Sequence, residues 1–570
     1  MKHPIAAMLL AILAILTANT VPLAAQTASG PVRDEIASAG IDWTYTSQHL
    51  PLDLKWRRHL ESNLRWMIAR ERIKPENQEP RIVVYADAGT NYQLNGNIVT
   101  SLESAGILCR VLDRSRIRPT ELQHVEAYIM PGGYSTFQRN ALGHRGMQTL
   151  RQFVNQGGRF LGICAGGYVA SRDVHWEEKH YPYPLELFDG TAEGALDSIA
   201  AWPGDAGVSL KLTEAGRLRG LTKEAEGTFY YKGGPHFHAG TKCTVLATYP
   251  NGSAAIISRP YGQGEVVLNG IHYERTAPHT RDNDDVPPAP RATGNIFQSL
   301  LKMAARTRAA IHQEIDPDIT RWVEVTDLAK EDRINLEQNL RWVLTRTTHA
   351  SYPPPPARIG ILADAGVEHA SLISIVTLLE SHGIKITPLL HTDVNEHGLK
   401  PLDVLVIPAG NHRILRDTLG DQGQQAISKF IKSGKQYIGV STGAYLAART
   451  IRWQQRTWEY PLKYYWGMAQ GPLAELAIWP AVAQVDLQPT AEGLQRGLTK
   501  TLLATCQYHG GPRFVNGRDH QVLANYPDKS AAIVSKKIGG GEVLLIGVEV
   551  SPAATGKTGS QFLLNLLRNP

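Results

Sequence analysis

Cys164 stands at the apex of the stretch "GICAGG", with a glycine two positions to either side. Gly-x-Cys-x-Gly after an apolar run and before a helical segment is the pattern of a nucleophile elbow. The turn is too sharp for side chains at the flanking positions, and the nucleophile is held in a strained conformation at a helix start. Free N–H groups and the helix dipole at that place favour a thiolate. A thiol nucleophile needs a base, and "GIHYE" at 270–274 offers one. His272 is a general base, and Glu274, two residues on, is the carboxylate that fixes its tautomer. The Gly-rich "MPGG" at 130–133 supplies the third part. Backbone N–H groups of Gly133 and of Ala165, the residue after the nucleophile, are placed to stabilise an oxyanion. Gly132, Tyr168, Tyr231 and Lys232 are expected to line the substrate pocket. In this reading Cys164 attacks, His272 shuttles the proton and Glu274 orients His272.

The elements that must position these groups are legible in the periodicity. "RIVVYAD", "NIVTSLESAG", "ILCRVL", "AYIMPGG", "MQTLRQFVNQGG" and "RFLGICAGG" read in order as strand, helix, strand, strand, helix, strand. Such alternation predicts an α/β fold, a doubly wound, flavodoxin-like sheet that is mainly parallel, with helices on both faces. "VVLNGIHYE" reads as one more strand leading into a loop. An amphipathic helix from Asp53 through Met67 precedes the sheet and is expected to pack on it.

The chain then repeats itself. "RIVVYADAG" from Arg81 matches "RIGILADAG" from Arg358, which sets an offset of 277 positions. The same offset pairs Pro131 with Pro408, Trp176 with Trp453, Trp202 with Trp479, and the Gly-Gly-Pro triplet at Gly233 with that at Gly510. A tandem duplication of a whole domain is the reading, because the period is far beyond that of a solenoid repeat. The units expected are 44–308 and 358–570, joined by 309–357, a linker with the N-terminal helix of the second unit and four consecutive prolines, Pro353 to Pro356. Phe297 matches Phe562 at an offset of 265, so the first unit carries a loop twelve residues longer at 275–292. That loop is either a surface excursion or a lid. The chemistry does not repeat. Cys164 becomes Ser441, His272 becomes Glu549 and Glu274 becomes Ser551. A serine without a base is a poor nucleophile, so the second unit is expected to be a degenerate domain kept for packing against the first or for ligand binding.

Cys, His and Glu in that order around an elbow resemble the class I glutamine amidotransferase-like superfamily. More closely, "YADAGT", "MPGGY", "GICAGGY", "YYKGGPHF" and "HYE" look like the N-terminal domain of eukaryotic biotin protein ligases. The resemblance runs from Arg81 to Glu274 and extends more weakly over the second unit. It implies an amidotransferase-like fold with a Cys-His-Glu constellation. No ligase catalytic domain is recognisable, so ligase activity is not implied. Tyr168 stands where glutamine-hydrolysing relatives carry a glutamine in G-x-C-x-G-x-Q, which argues against glutamine as the substrate.

The 570 residues predict two to four domains. With 42% apolar and 20% charged residues the chain reads as globular. The net charge of +6 is spread without Lys/Arg runs, which excludes a nucleic-acid groove. The first residues place Lys2 ahead of an apolar run and small residues ending at Ala25, the pattern of a cleaved signal peptide over 1–25. That predicts a periplasmic or secreted protein without stable membrane insertion. Four cysteines without CxxC or zinc-like spacing give no disulfide scaffold; Cys109 reads as a buried strand residue, and Cys243 and Cys506 either pair or stay free. His236 and His238, with His175 and His180, lack an accompanying acidic cluster, so neither a metal nor another cofactor is expected, a metal on these histidines being the minor alternative. Asp87 and Asp364 end the first strand of each unit and read as turn caps. The function expected is a cysteine-dependent hydrolase or amidase on a small amide or peptide-like substrate. A non-catalytic ligand-binding protein and a thiol redox sensor are the alternatives.

Overall fold

Short runs such as Ile82–Tyr85, Ala127–Met130 and Arg159–Ile163 are apolar at nearly every position, and the structure buries them on both faces. That is what a strand covered by helices on two sides requires. In this computed structural model the described residues are 52–72, 80–238, 240, 242–276, 291–303, 328–349, 358–460, 462–550 and 561–568. The expected signal peptide, Pro353 to Pro356 and nearly all of the 275–292 loop lie outside them.

The first half builds an eight-stranded sheet. Its order is Cys109–Leu112, Ile82–Tyr85, Ala127–Met130, Arg159–Ile163, Gly264–Asn269, Ala254–Tyr261, Thr244–Thr248 and Lys211–Leu212. The first five strands run parallel, with Ile82 opposite both Cys109 and Ala127, Ala127 opposite Arg159, and Arg159 opposite Glu265; the remaining pairings are antiparallel. The second half opens on the same order: Ile386–Leu389, Ile359–Leu362, Val404–Ile407, Gln436–Val440, Gly541–Ile546, Ala531–Ile538. The protein is therefore a mixed α/β molecule with large, mainly parallel sheets. Among the described residues no helix is long and apolar enough to cross a membrane.

The elements depart from the periodicity in two places. Helix Ser135–Asn155 begins well before the apolar repeat at Met147, because Gly143 breaks it at φ 58° and the polar "GHRG" hides its first piece. The stretch containing His272 is a strand, His272–Thr276, rather than a loop.

The leading helix Leu54–Arg72 packs against its counterpart Lys330–His349, and both enter one continuous apolar cluster through Leu60, Leu64, Leu336 and Leu340. The helix was expected on its own sheet. It touches its own half through Asn63 Nδ2, which donates to Thr90 Oγ1 at 3.0 Å, but it also reaches across. Arg65 pairs with Asp364, and Arg341 pairs with Asp87 at 2.9 Å and with Asp113 at 2.6 Å. The turn-capping role of Asp87 holds as well, since it accepts from the amides of Ala88 at 2.6 Å and Arg114 at 2.8 Å. All four cysteines are free, and Cys109 is buried on its strand.

Candidate active site

The elbow between strand Arg159–Ile163 and helix Ala165–Ala170 is closed by glycine. A Cβ on Gly162 would approach the Gly166 carbonyl to 2.6 Å, and one on Gly166 would run into the Met130 carbonyl. No side chain fits either place. Cys164 takes φ 49°, ψ −105°, a conformation L-residues avoid and nucleophile elbows store. The helix after it has only six residues, so its contribution to an anion is that of first-turn amides rather than a long dipole.

The base arrives from strand His272–Thr276. Alternation along a strand puts His272 and Glu274 on one side and Tyr273 on the other. A register shift opposite Phe229 and Tyr230 re-aims the strand there. Glu274, fully buried, takes His272 Nδ1 at 2.7 Å, and the ring's remaining nitrogen is left for a hydrogen bond to Cys164. Burial opposes the imidazolium, but the Glu274 carboxylate and Cys164 outweigh it and push His272 up to about 10. Cys164 Sγ lies 3.9 Å from the Lys232 carbonyl, within thiol hydrogen-bonding reach.

Gly132 and Gly133 do different work from each other. Gly133 sits at φ 148°, and a Cβ there would strike the Gly89 carbonyl. Gly132, expected to touch substrate, instead makes room for the base: a Cβ would overlap Cε1 of His272. Tyr168 and Tyr231 are also corrected. Tyr168 is buried and donates to the Gly233 carbonyl at 3.0 Å. Tyr231 is buried too, donating to the Gly234 carbonyl at 2.9 Å and accepting from Leu196 N at 2.7 Å. Both hydroxyls hold the Gly-Gly-Pro turn in place.

The tyrosine that meets the base is Tyr230, which the sequence reading missed by one residue. It faces His272 in register at 5.7 Å between rings, donates to Asp205 at 3.0 Å, and lies 4.0 Å under the Arg275 guanidinium. Lys232, just past the end of the strand Thr228–Tyr231, is part-exposed and stands 3.8 Å from Asp205. Trp176 and Trp202, edge-to-face at 5.2 Å, stand over Gly233. A further correction concerns the histidine pair. Glu193 does accompany His236 and His238, at 3.9 and 2.5 Å, so a partly exposed donor cluster exists there.

The second half keeps the bend and changes its contents. Ser441 repeats the strained conformation at φ 50°. Ala409 takes the place of Gly132, and no imidazole stands there to collide with it. Thr442 takes the place of Ala165, and its hydroxyl accepts from the Gly410 amide at 2.5 Å. The donor equivalent to Gly133 is thus occupied in the second half, whereas Ala165 has no hydroxyl to occupy it in the first. Glu549 replaces the histidine. Burial and then Glu368 push its carboxyl up to about 8, so at neutral pH it holds a proton and cannot take one from Ser441. Ser551 lies outside the described residues.

The chain is similar to several known proteins. An uncharacterized protein of Chlamydia muridarum (strain MoPn / Nigg) is 30% identical over 213 residues, 34% of this chain and 80% of that protein. A biotin–protein ligase of Schizosaccharomyces pombe is 29% identical over 162 residues, and the chain spans only 25% of its length. Subunit PdxT of pyridoxal 5'-phosphate synthase from Geobacillus kaustophilus is 30% identical over 165 residues, 74% of that subunit. A crystal structure of a glutamine amidotransferase matches over 39% of this chain and 100% of its own, at 17% identity and a TM-score of 0.29. The family described as "Biotin-protein ligase, N terminal" matches residues 82–315 and 390–561. On that match, which covers more than half its length, the chain belongs to the biotin-protein ligase N-terminal family.

Proposed function

We propose that the first half is a cysteine-dependent hydrolase of amide bonds, acting on a small amide or peptide-like substrate, and that the protein is exported. One observation carries the catalytic reading. A fully buried Glu274 holds His272 at 2.7 Å, in a space that glycine at 132 leaves open, and the Cys164 sulfur stands near enough to help raise the imidazole. Buried polar groups without work to do are costly, and this one is aimed at a nucleophile.

The chemistry follows from the placement. Cys164 gives up its proton to His272, and its sulfur attacks the substrate carbonyl carbon. The amides of Gly133 and Ala165 receive the developing oxyanion. His272 gives its proton to the leaving nitrogen as the C–N bond breaks, and a thioester remains on Cys164. Water, deprotonated by His272, then cleaves the thioester to a carboxylic acid and restores the thiol. Tyr230, Lys232 and Arg275 at the mouth are the groups in place to select a substrate. Export rests on the N-terminal stretch from Lys2 to Ala25.

The test is a screen of amide and peptide-amide libraries against the full chain, with Cys164→Ser as the dead control. Turnover accompanied by an acyl adduct on the Cys164 peptide is the expected result. Turnover that survives Cys164→Ser removes the proposal.

A further inference from the structure

The centre of the second half, where Ser441 and Glu549 replace Cys164 and His272, is built from donors of a different kind. Glu368, His509 and Glu549 each offer one ligand atom, and these atoms all lie within 4.8 Å of one another. His509 Nδ1 and a Glu368 oxygen are already 4.0 Å apart. Each replaces a residue with other work in the first half. His509 stands for Lys232 and Glu549 for His272, while Glu368 stands for Asn91. Asn91 caps its helix by accepting from the amides of Gln93 and Leu94, but Glu368, at the same cap position, makes no side-chain cap bond. Its carboxylate faces the cluster instead. Trp479 stacks on His509 at 4.8 Å and 20° and so fixes the plane of the imidazole.

Glu549 supplies the independent sign that something is missing. It is 7% exposed, and its Oε1 has no hydrogen-bond partner. The other buried carboxylates among the described residues all have a cationic or imidazole partner. Glu61 has Arg333, Asp87 and Asp113 have Arg341, Glu103 has Arg70, Glu274 has His272, Glu337 has Arg114, Asp364 has Arg65, and Glu542 has Arg496. Glu549 faces a second carboxylate and an imidazole, with Ser371 Oγ donating to its other oxygen at 3.2 Å. A buried carboxyl is tolerated when it is paired, when it keeps its proton, or when it coordinates a metal. Glu549 has no ion-pair partner and holds a proton, and a cation seated between Glu368, His509 and Glu549 would take that proton's place.

We infer that Glu368, His509 and Glu549 form a binding site for a divalent transition-metal cation at the second half's counterpart of the active site. One imidazole nitrogen with two carboxylate oxygens is a donor set for zinc-like or manganese-like ions. Four-coordinate ligand atoms at about 2.0–2.2 Å from a metal stand about 3.4 Å from one another, so closure asks for a shift of about 1 Å. Glu368 and His509 are part-exposed and can make it. Three protein ligands leave a coordination position open. The Glu193, His236 and His238 cluster is the weaker site, because Glu193 is already bonded to His238 at 2.5 Å and both are half-exposed.

The test uses Co²⁺ on the metal-stripped full chain, followed by absorption spectroscopy and by the melting temperature, which rises when a ligand binds only the folded state. The expected result is one Co²⁺ per chain, with d–d bands and no thiolate-to-cobalt charge transfer. Affinity falls at least about tenfold in Glu549→Gln and in Glu368→Gln, and is unchanged in Glu193→Gln. Glu368→Gln is the safeguard, since that side chain is part-exposed and its change leaves the core intact. Failure of Co²⁺ to bind below about 1 mM, binding indifferent to Glu368→Gln, or binding lost in Glu193→Gln overturns the site. A thiolate charge-transfer band that disappears on blocking Cys164 also overturns it, by placing the metal in the first half.

Discussion

Replacing Gly132 by alanine adds one methyl group to the wall behind the base. The added Cβ stands 2.3 Å from His272 Cε1, against the about 3.5–4.0 Å at which carbon atoms rest in contact. The ring must therefore retreat by more than about 1 Å. It is buried and tied to Glu274 at 2.7 Å, so it cannot move without leaving Glu274 or Cys164. A misplacement of about 1 Å costs about 100-fold in a positioned reaction, and forcing a methyl into a filled site costs about 1–3 kcal/mol of stability. The backbone itself accepts alanine, because Ala409 occupies the equivalent position. The assay is the second-order rate of iodoacetamide labelling of Cys164, read peptide by peptide in the mass spectrometer, beside a thermal melt. Gly132→Ala should lower that rate about 100-fold with a modest fall in melting temperature, and Ala409→Gly should leave it alone. A Gly132→Ala protein that melts with the wild type and labels Cys164 at the wild-type rate refutes the placement of the base.

Further predictions follow from the same geometry. Ala165→Thr should copy the Thr442 cap onto the Gly133 amide and lower thioester formation with an activated ester about 10²–10³-fold, measured as burst amplitude and rate, while the fold persists. His272 is raised in the folded protein from 6.5 to about 10, so its stabilising contribution is complete below pH 6.5 and is lost as pH rises through about 10. Cys164 labelling and melting temperature should both break near that upper value, and Glu274→Gln should move the break toward neutrality. A break that ignores Glu274→Gln contradicts the pairing. Burial opposes the Asp87 anion, but Arg341 and Arg114 hold its carboxyl well below the ordinary 3.8. Its contribution is therefore complete above that value and is lost as pH falls below it. Arg341→Ala leaves Asp87 and Asp113 buried beside fewer cations and should cost about 3–5 kcal/mol in urea titrations at pH 7, with the loss shrinking in acid.

What the sequence carried well was local. The elbow needs glycine at 162 and 166 for reasons of space alone, so its letters announce it. His272 and Glu274 share a strand face at a spacing of two, and the parallel strands are continuous apolar runs. What it hid depends on partners far along the chain. Whether Tyr230 or Tyr231 meets the base is a matter of strand phase, fixed by pairing with a strand some forty residues on. Tyr231 reads as a pocket residue because nothing nearby reveals that its hydroxyl is spent on Gly234 and Leu196. Arg65 and Arg341 find their partners 299 and 254 residues away, where no local pattern could announce them. Glu193 joins His236 and His238 only through an antiparallel pairing of two strands. The role of Gly132 as room for an imidazole is invisible until the ring is in place, although the exchange of Gly132 for Ala409 accompanies the exchange of His272 for Glu549.

Activation of Cys164 by His272 is tested most directly by thiol labelling. Cys164 is buried while Cys243 is part-exposed, so access alone orders alkylation with Cys243 ahead. With limiting iodoacetamide at pH 7, Cys164 should label first and by at least about tenfold, and His272→Ala should reverse that order. Cys243 labelling ahead of Cys164 in the wild type, or an order unmoved by His272→Ala, would contradict the account.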